Sequence, residues 1–187
     1  MDALLEAAMA VFATSGVDAP VREIAAKAGV GLGTVYRHFP QRSDLIAAVF
    51  RHEIDACADA APVLAVEHEP GEALARWTLR YVDFVAAKRG LAPALHSGDP
   101  AFDTLRAYFE QRLRPALQAL LESAAAAGEV RTDVDADDIL GAVASLSMHA
   151  FDRGPKHARR MVSLFVDGMR YGLSPHPKSK RAVRRKT

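Results

Sequence analysis

Residues 20–42 have the sequence PVREIAAKAGVGLGTVYRHFPQR. Pro20 and Glu23 suit the first turn of a helix, because proline needs no N–H partner there and a carboxylate favours the positive end of the helix dipole. Gly29 supplies the backbone freedom that ends this helix, and Pro40 blocks the end of a second one. We therefore predict two short helices about a glycine turn. This is the layout of a helix-turn-helix unit, whose second helix lies in the major groove of DNA.

The second of these helices is rich in hydrogen-bonding side chains. Within five residues it carries Thr34, Tyr36, Arg37 and His38. Val35 and Phe39 are four residues apart and can pack inward, which leaves the polar groups facing outward. Any two short helices joined by glycine share this layout, so the pattern alone leaves DNA binding and a purely structural pair equally open.

A longer likeness extends over the same stretch. It is carried by Ile24-Ala25 with Ala28-Gly29-Val30, by Gly33-Thr34-Val35-Tyr36-Arg37-His38-Phe39, and by the basic residue Arg42. Together these residues resemble the DNA-binding signature of the TetR (tetracycline-repressor-like) family of bacterial transcriptional regulators. The likeness is close over about the first 50 residues and extends to the rest only in layout. It implies a homodimer that binds double-stranded operator DNA and responds to a small-molecule effector.

The resemblance also implies which side chains touch DNA. The expected contacts are Arg22, Leu32, Gly33, Thr34, Tyr36, Arg37, His38 and Arg42. Arg22, Leu32 and Gly33 are expected to reach base edges and select the sequence, since phosphate contacts fix only the register. Arg42 matches a phosphate-contacting lysine of the family, and a solvated loop charge is the alternative for this residue.

The composition of the chain is that of an ordinary globular protein. Of 187 residues, 50% are apolar and 25% are charged. Alanine is abundant and runs of alternating β-branched residues are missing, which predicts an all-α fold of about nine helices. The single Cys57 and the lack of a signal-peptide pattern favour the cytoplasm. The longest apolar stretch, residues 139–151, is shorter than the roughly 20 residues needed to cross a bilayer, so no membrane association is expected.

The charge of the chain is small overall but uneven. The net charge is +1, yet residues 173–187 carry six Lys and Arg residues and no acidic one. The rest of the chain is therefore acidic, which suits a few aimed DNA contacts better than wholesale coating of DNA. We expect the basic tail to be disordered, and either to add salt-sensitive DNA affinity or to be merely solvated.

Three parts are expected along the chain. Residues 1–48 form a helix-turn-helix domain, residues 49–172 a helical effector-binding and dimerisation domain, and residues 173–187 the basic tail. A connecting helix is expected to end near Ala60, before a loop over residues 61–71 that is rich in Pro, Glu and Gly. Further along, a break is expected before residues 91–95, Pro115 should kink or split a long helix, and Asp135 should cap the next helix.

The last two predicted helices carry more apolar surface than one core needs. The positions expected at an interface with a second copy are Ile139, Val143, Leu146, Met161, Leu164, Phe165 and Gly168. Two such helices from each subunit would make a four-helix dimer interface, as in the resembled family. The alternative is that both helices are simply buried within the monomer.

An aromatic helix face marks a candidate effector pocket, because pockets between helices are mostly apolar with a few polar groups. The candidate lining residues are Trp77, Tyr81, His96, Tyr108, Met148 and His149. Each of them taken alone is more often a core residue than a ligand contact. The expected effector is apolar or aromatic.

No catalytic or metal-binding pattern is found in the sequence. There is no nucleophile elbow, phosphate loop or dinucleotide fingerprint, and the histidines and the lone cysteine lack the spacing of a zinc site. We therefore expect no enzymatic activity, no cofactor and no metal. The competing hypothesis is a small helical ligand-binding protein or enzyme whose N-terminal helices are only structural.

Overall fold

The computed structural model describes residues 1–150 and 153–171, apart from the side chains of residues 89, 90, 149, 150 and 171. The described chain is all-helical, as predicted, and contains eight α-helices and one 3-10 turn. The elements are α1 (Asp2–Ser15), α2 (Val21–Ala28), α3 (Leu32–His38), α4 (Arg42–Glu67), α5 (Pro70–Leu95), the 3-10 turn (Pro100–Phe102), α6 (Leu105–Ala126), α7 (Ala136–Ala150) and α8 (Pro155–Tyr171). None of the described helices is both long and apolar enough to span a bilayer. The predicted basic tail lies outside the described residues.

The first three helices form the predicted head. Pro20 precedes α2 as its cap, with ψ at 134°, so the helix itself begins at Val21. Gly29 ends α2 in the left-handed region at φ 68°, where a side chain would be strained. Ile24 and Val35 point one from each helix of the motif into the core that α1 and α4 complete. These buried contacts hold the angle between α2 and α3.

The connecting helix is longer than the sequence predicts. α4 continues through Pro62 to Glu67, and the expected loop over residues 61–71 shrinks to the link at His68 and Glu69. Proline removes one backbone hydrogen bond and normally ends a helix. Here Ala58 and Ala61 are buried while α4 packs along α5 and α6. Tertiary packing on this face therefore outweighs the local penalty.

Two other prolines also lie inside continuous helices. α5 runs unbroken through Pro93, so residues 91–95 are its last turns and not a separate segment. α6 likewise contains Pro115 without splitting into two helices. The predicted cap of α7 is present, since the Asp135 carboxylate accepts a hydrogen bond from the Asp137 N–H at 2.7 Å.

One continuous core joins the head to the body. It extends from Leu4 in α1 to Met169 in α8, and its largest fully buried side chain is Trp77. The Trp77 Nε1 donates a hydrogen bond to the Cys57 carbonyl oxygen at 2.9 Å, which ties α5 to α4. Burial also raises the pKa of Cys57 to about 12, so this thiol stays neutral and acts as a small apolar side chain. α4 is thus packed against the body at one end and the head at the other.

Candidate DNA-binding surface and effector cleft

The outward face of α3 carries large side chains that are exposed and contribute little to the core. Leu32 and Tyr36 lie one turn apart and are 43% and 51% exposed, whereas Val35 between them is 1% exposed. Arg37 and His38 are also exposed and make the last turn of this helix basic. Leu32, Tyr36 and the two basic residues thus form an exposed face that the core does not use.

The structure brings seven of the eight predicted DNA contacts onto α2 and α3. Arg22 is exposed in the first turn of α2, Gly33 is exposed in the first turn of α3, and Thr34 is half-buried beside it. The α3 helix contains no acidic residue. The α3 face therefore presents no carboxylate to a phosphate backbone, while Glu23 beside Arg22 is the exposed carboxylate of α2.

Arg42 is placed differently from the prediction. Its Nε donates a hydrogen bond to the Val17 carbonyl oxygen at 2.6 Å, and a terminal guanidinium nitrogen donates to the Ala19 carbonyl oxygen. The side chain is half-buried. Arg42 therefore braces the start of α4 against the link between α1 and α2, and its Nε and one terminal nitrogen are occupied by backbone oxygens.

The six predicted effector contacts do not form one site. Tyr81 lines a cavity between α5, α6 and α7, and His96 lines a neighbouring one. Trp77 is fully buried in the core and lines neither of them. Met148 is 63% exposed on the outer surface and also lines neither, which corrects its assignment. The side chain of His149 lies outside the described residues.

Tyr108 faces α4 instead of a cavity. Its hydroxyl donates to the Asp55 carboxylate at 2.8 Å, and the Arg112 Nε donates to the same carboxylate at 2.7 Å. A second Arg112 nitrogen reaches Asp59 at 2.7 Å. Partial burial, followed by the hydrogen bond to Asp55, raises the pKa of Tyr108 and keeps its hydroxyl as a donor. We call this α4–α6 contact of Asp55, Asp59, Tyr108 and Arg112 the polar bridge.

The two cavities adjoin along α6. The larger, of about 930 Å³, opens between α5, α6 and α7, and the smaller, of about 420 Å³, lies between α4, α5, the 3-10 turn and α6. They share Lys88, Arg106, Phe109 and Glu110 as lining residues. We refer to the pair as the effector cleft. Both volumes fall in the range of ligand pockets in proteins, roughly 300 to 1,000 Å³.

Most charges lining the cleft are neutralised by a neighbour. Arg106 pairs with Glu110 at 3.0 Å, and Arg114 pairs with Asp137 at 3.0 Å. The Lys88 ammonium instead lies 6.0 Å from the centre of one phenylalanine ring and 5.9 Å from another. Partial desolvation lowers the pKa of Lys88, although the residue is exposed.

Two family models match this chain, one over the head and one over the body. Residues 4–49 match the model of the bacterial regulatory proteins of the tetR family, and residues 69–171 match that of the C-terminal domain of SbtR-like transcriptional regulators. A TetR transcriptional regulator from Streptomyces coelicolor is 40% identical, with 90% of this chain and 97% of that chain covered and a TM-score of 0.80. This chain belongs to the TetR family of transcriptional regulators.

Two further proteins place this TetR-family chain among its relatives. It is 49% identical over 53 residues to the HTH-type transcriptional repressor LfrR of Mycolicibacterium smegmatis, a match that spans 28% of each protein. A structure of the transcriptional regulator FadR from Bacillus subtilis in complex with stearoyl-CoA is 18% identical, with 92% of this chain and 98% of that chain covered and a TM-score of 0.66. The second likeness concerns the fold alone.

The predicted dimer surface of this TetR-family chain is only partly on the outside. Ile139 and Val143 are fully buried in the monomer core, so they cannot meet a partner, and their assignment to an interface is corrected. Leu164 is 56% exposed and Gly168 is exposed one turn beyond it. The other three predicted positions are half-buried: Leu146, Met161 and Phe165. Met148 adds an exposed apolar side chain to the neighbouring helix α7.

Sequence reasoning missed Lys88 and the polar bridge of this TetR-family chain. Both depend on residues far apart in the chain, since Asp55 and Arg112 are 57 positions apart and meet only where α4 packs on α6. Lys88 belongs to no recognisable motif, and in the sequence it comes directly after the apolar positions of α5. The one available signal was a basic residue at the end of an aromatic stripe.

Proposed function

We propose that this protein is a homodimeric repressor that acts in the cytoplasm, binds an operator through α2 and α3, and is released by a small molecule with an apolar or aromatic body. The observation that carries the proposal is the exposed α3 face of Leu32, Tyr36, Arg37 and His38. Family membership and the likeness of the head to that of the repressor LfrR support it. In this proposal residues 1–48 read DNA, and residues 49–172 bind the effector and the second subunit.

The division of roles on the DNA surface follows from the positions of the side chains. Arg22, Leu32 and Gly33 lie at the starts of the two motif helices and are proposed to meet base edges. Thr34, Tyr36, Arg37 and His38 are proposed to hold the backbone and fix the register. Arg42 acts from inside by keeping the link before α2 at a fixed distance from α4.

Dimerisation is proposed to use the outward faces of α7 and α8. Helix-turn-helix dimers bind two half-sites about 34–36 Å apart, so both heads must be held at one spacing. Exposed apolar side chains on two adjacent helices give a surface of the kind that a second copy can cover by two-fold symmetry. Met148 and Leu164 are the exposed apolar side chains on this surface, with Gly168 allowing a close approach.

The proposed release mechanism runs through α6 and α4. One face of α6 lines the effector cleft through Phe109 and Glu110, and another holds α4 through the polar bridge. At its N-terminus α4 is braced to the head by Arg42. A molecule that binds the cleft better in one position of α6 therefore shifts α4 and changes the spacing of the two heads.

The decisive experiment is binding of the purified protein to the DNA upstream of its own gene, against a scrambled duplex, over a series of salt concentrations. A dimeric repressor gives a footprint over two half-sites and an affinity for the upstream DNA well above that for the scrambled duplex at every salt concentration. Equal, weak and salt-sensitive binding to both duplexes would contradict operator recognition at that site. It would favour the alternative of a helical ligand-binding protein with a structural head.

A further inference from the structure

Among the described residues that line the effector cleft, Lys88 is the charged side chain without a counter-charge. Of the described residues lining the cavities, five are formally charged: Lys88, Arg106, Glu110, Arg114 and Asp137. Four of them form the two ion pairs already described. No carboxylate among the described residues pairs with Lys88, so the lining carries one uncompensated positive charge.

The position of this charge is where the two cavities meet. Lys88 lines both of them, and its ammonium faces the rings of Phe50 and Phe109. Lys88 is exposed to solvent, and partial desolvation beside the protein surface lowers the pKa of its ammonium. An anion bound at this position would meet a positive charge that no carboxylate of the described lining already pairs with.

The surroundings of Lys88 are suited to an apolar chain or ring. The smaller cavity is lined by five apolar side chains, which are Phe50, Leu95, Phe102, Leu105 and Phe109. His96 also lines it, with Nδ1 2.8 Å from the Ala92 carbonyl oxygen of its own helix. The smaller cavity therefore places the positive charge of Lys88 beside five apolar side chains.

We propose that the effector is an organic carboxylate with one anionic head and an apolar body, whose head pairs with the Lys88 ammonium while its body fills the smaller cavity. This inference rests on the proposed effector response, and it narrows the ligand from any apolar molecule to an amphiphilic anion. Hydrogen bonds to charged groups are worth more than those between neutral ones, so the charge on the ligand should dominate discrimination.

The test compares ligands that differ only in charge, using calorimetry on the full-length protein. Octanoate is compared with octanamide, and 4-phenylbutyrate with 4-phenylbutyramide, while acetate supplies the head without a body. We expect each carboxylate to bind about 10- to 100-fold more tightly than its amide, and acetate to bind hardly at all. Lys88→Gln should abolish the preference for the carboxylate, and Lys88→Arg should restore much of it.

Lys156→Gln serves as the matched control, because it removes an exposed lysine of α8 that lines neither cavity. This variant should bind octanoate as the parent protein does. Equal affinity for acid and amide in the parent, no binding of either, or loss of binding in Lys156→Gln as large as in Lys88→Gln would each overturn the inference. The comparison of each acid with its amide needs only the parent protein. The inference can therefore still be contradicted if a Lys88 variant fails to fold.

Operator binding measured on the same samples separates this inference from the proposed function. Operator binding without a carboxylate preference overturns the anionic effector and leaves the repressor in place. A carboxylate preference in a protein that binds no operator supports the ligand and contradicts the proposed function instead.

Discussion

Tyr36 shows how a single side chain reports on function. It is 51% exposed on a helix of seven residues, so its ring contributes little to the core. Surface substitutions that disturb no contact change the free energy of unfolding by roughly 0.5 kcal/mol or less. A large effect of this residue on DNA affinity, with no effect on stability, would therefore locate its role in recognition.

We predict that Tyr36→Ala weakens operator binding by about 1 to 3 kcal/mol, because a contact to DNA is lost while the fold is kept. Fluorescence anisotropy with labelled operator measures the affinity, and thermal unfolding checks the fold. Val66→Ala is the control, since Val66 is 88% exposed near the C-terminal end of α4, far along the chain from the motif. Equal operator affinity in the Tyr36 variant and the parent would remove Tyr36 from the contact surface.

For Arg42 we predict the opposite outcome, a loss of stability with an unchanged salt dependence of DNA binding. Arg42→Gln loses hydrogen bonds to two backbone carbonyl oxygens and should lower the free energy of unfolding by about 1 to 3 kcal/mol. The salt dependence of operator binding should keep its slope, because no phosphate contact is removed. If Arg42 instead touched phosphate, the slope would fall by about 0.9 while stability stayed constant. Unfolding curves and a salt titration of the same variant decide between the two roles.

At the scale of elements, α4 and α6 are joined by polar contacts as well as by the core. Asp55 accepts hydrogen bonds from both Tyr108 and Arg112, and the ion pair is more than a third exposed on the Arg112 side. Exposed ion pairs contribute little when isolated, but a shared carboxylate couples its partners. The polar bridge is therefore expected to link the movements of the two helices more than it adds to stability.

A double-mutant cycle of Asp55→Asn and Arg112→Gln should show a coupling of about 0.5 to 1 kcal/mol in the free energy of unfolding. The control cycle uses Gln118→Ala and Glu122→Gln, whose side chains are exposed and hydrogen-bonded to each other at 2.7 Å within α6. In the proposed mechanism, breaking the polar bridge weakens the effect of ligand on operator affinity, whereas breaking this pair within α6 does not. A ligand response that survives the loss of the bridge intact would mean that the signal reaches α4 by another route.

At the scale of the whole molecule, Met148 and Leu164 stand out on α7 and α8. Leu164 is 56% exposed although it is one of the apolar residues at helical spacing in α8. Two heads read two half-sites only if the bodies are held together, so the assembly and the DNA affinity are expected to fail together. Because Leu164 is largely outside the monomer core, a charge at this position should leave the monomer folded.

Leu164→Glu should convert the dimer to a monomer and reduce operator affinity, while Val66→Glu should remain a dimer with parental affinity. Val66 is the more exposed of the two, so both substitutions place a new carboxylate in solvent in the monomer. Sedimentation velocity gives the mass, and circular dichroism verifies that the helices are retained. A dimeric Leu164→Glu protein would move the interface away from α8.

Much of this organisation was readable from local patterns. Gly29 and Pro40 define the two motif helices, because glycine permits a left-handed cap and proline removes a backbone donor. The Asp135 cap was equally local. The loop predicted at Pro62 was wrong because whether a proline ends a helix also depends on the tertiary packing of its neighbours, which is not a local property.

The sequence by itself determined the all-helical class, the two motif helices and the outward polar residues of α3, since these depend on contacts within one or two turns. Only the tertiary structure decided that Arg42 braces the head, that Ile139 and Val143 belong to the core, and that Lys88 lies near two phenylalanine rings with no carboxylate partner among the described residues. The physical reason is the range of the interactions. Capping and helical periodicity act over three or four residues, whereas burial and ion pairing join side chains that are tens of positions apart.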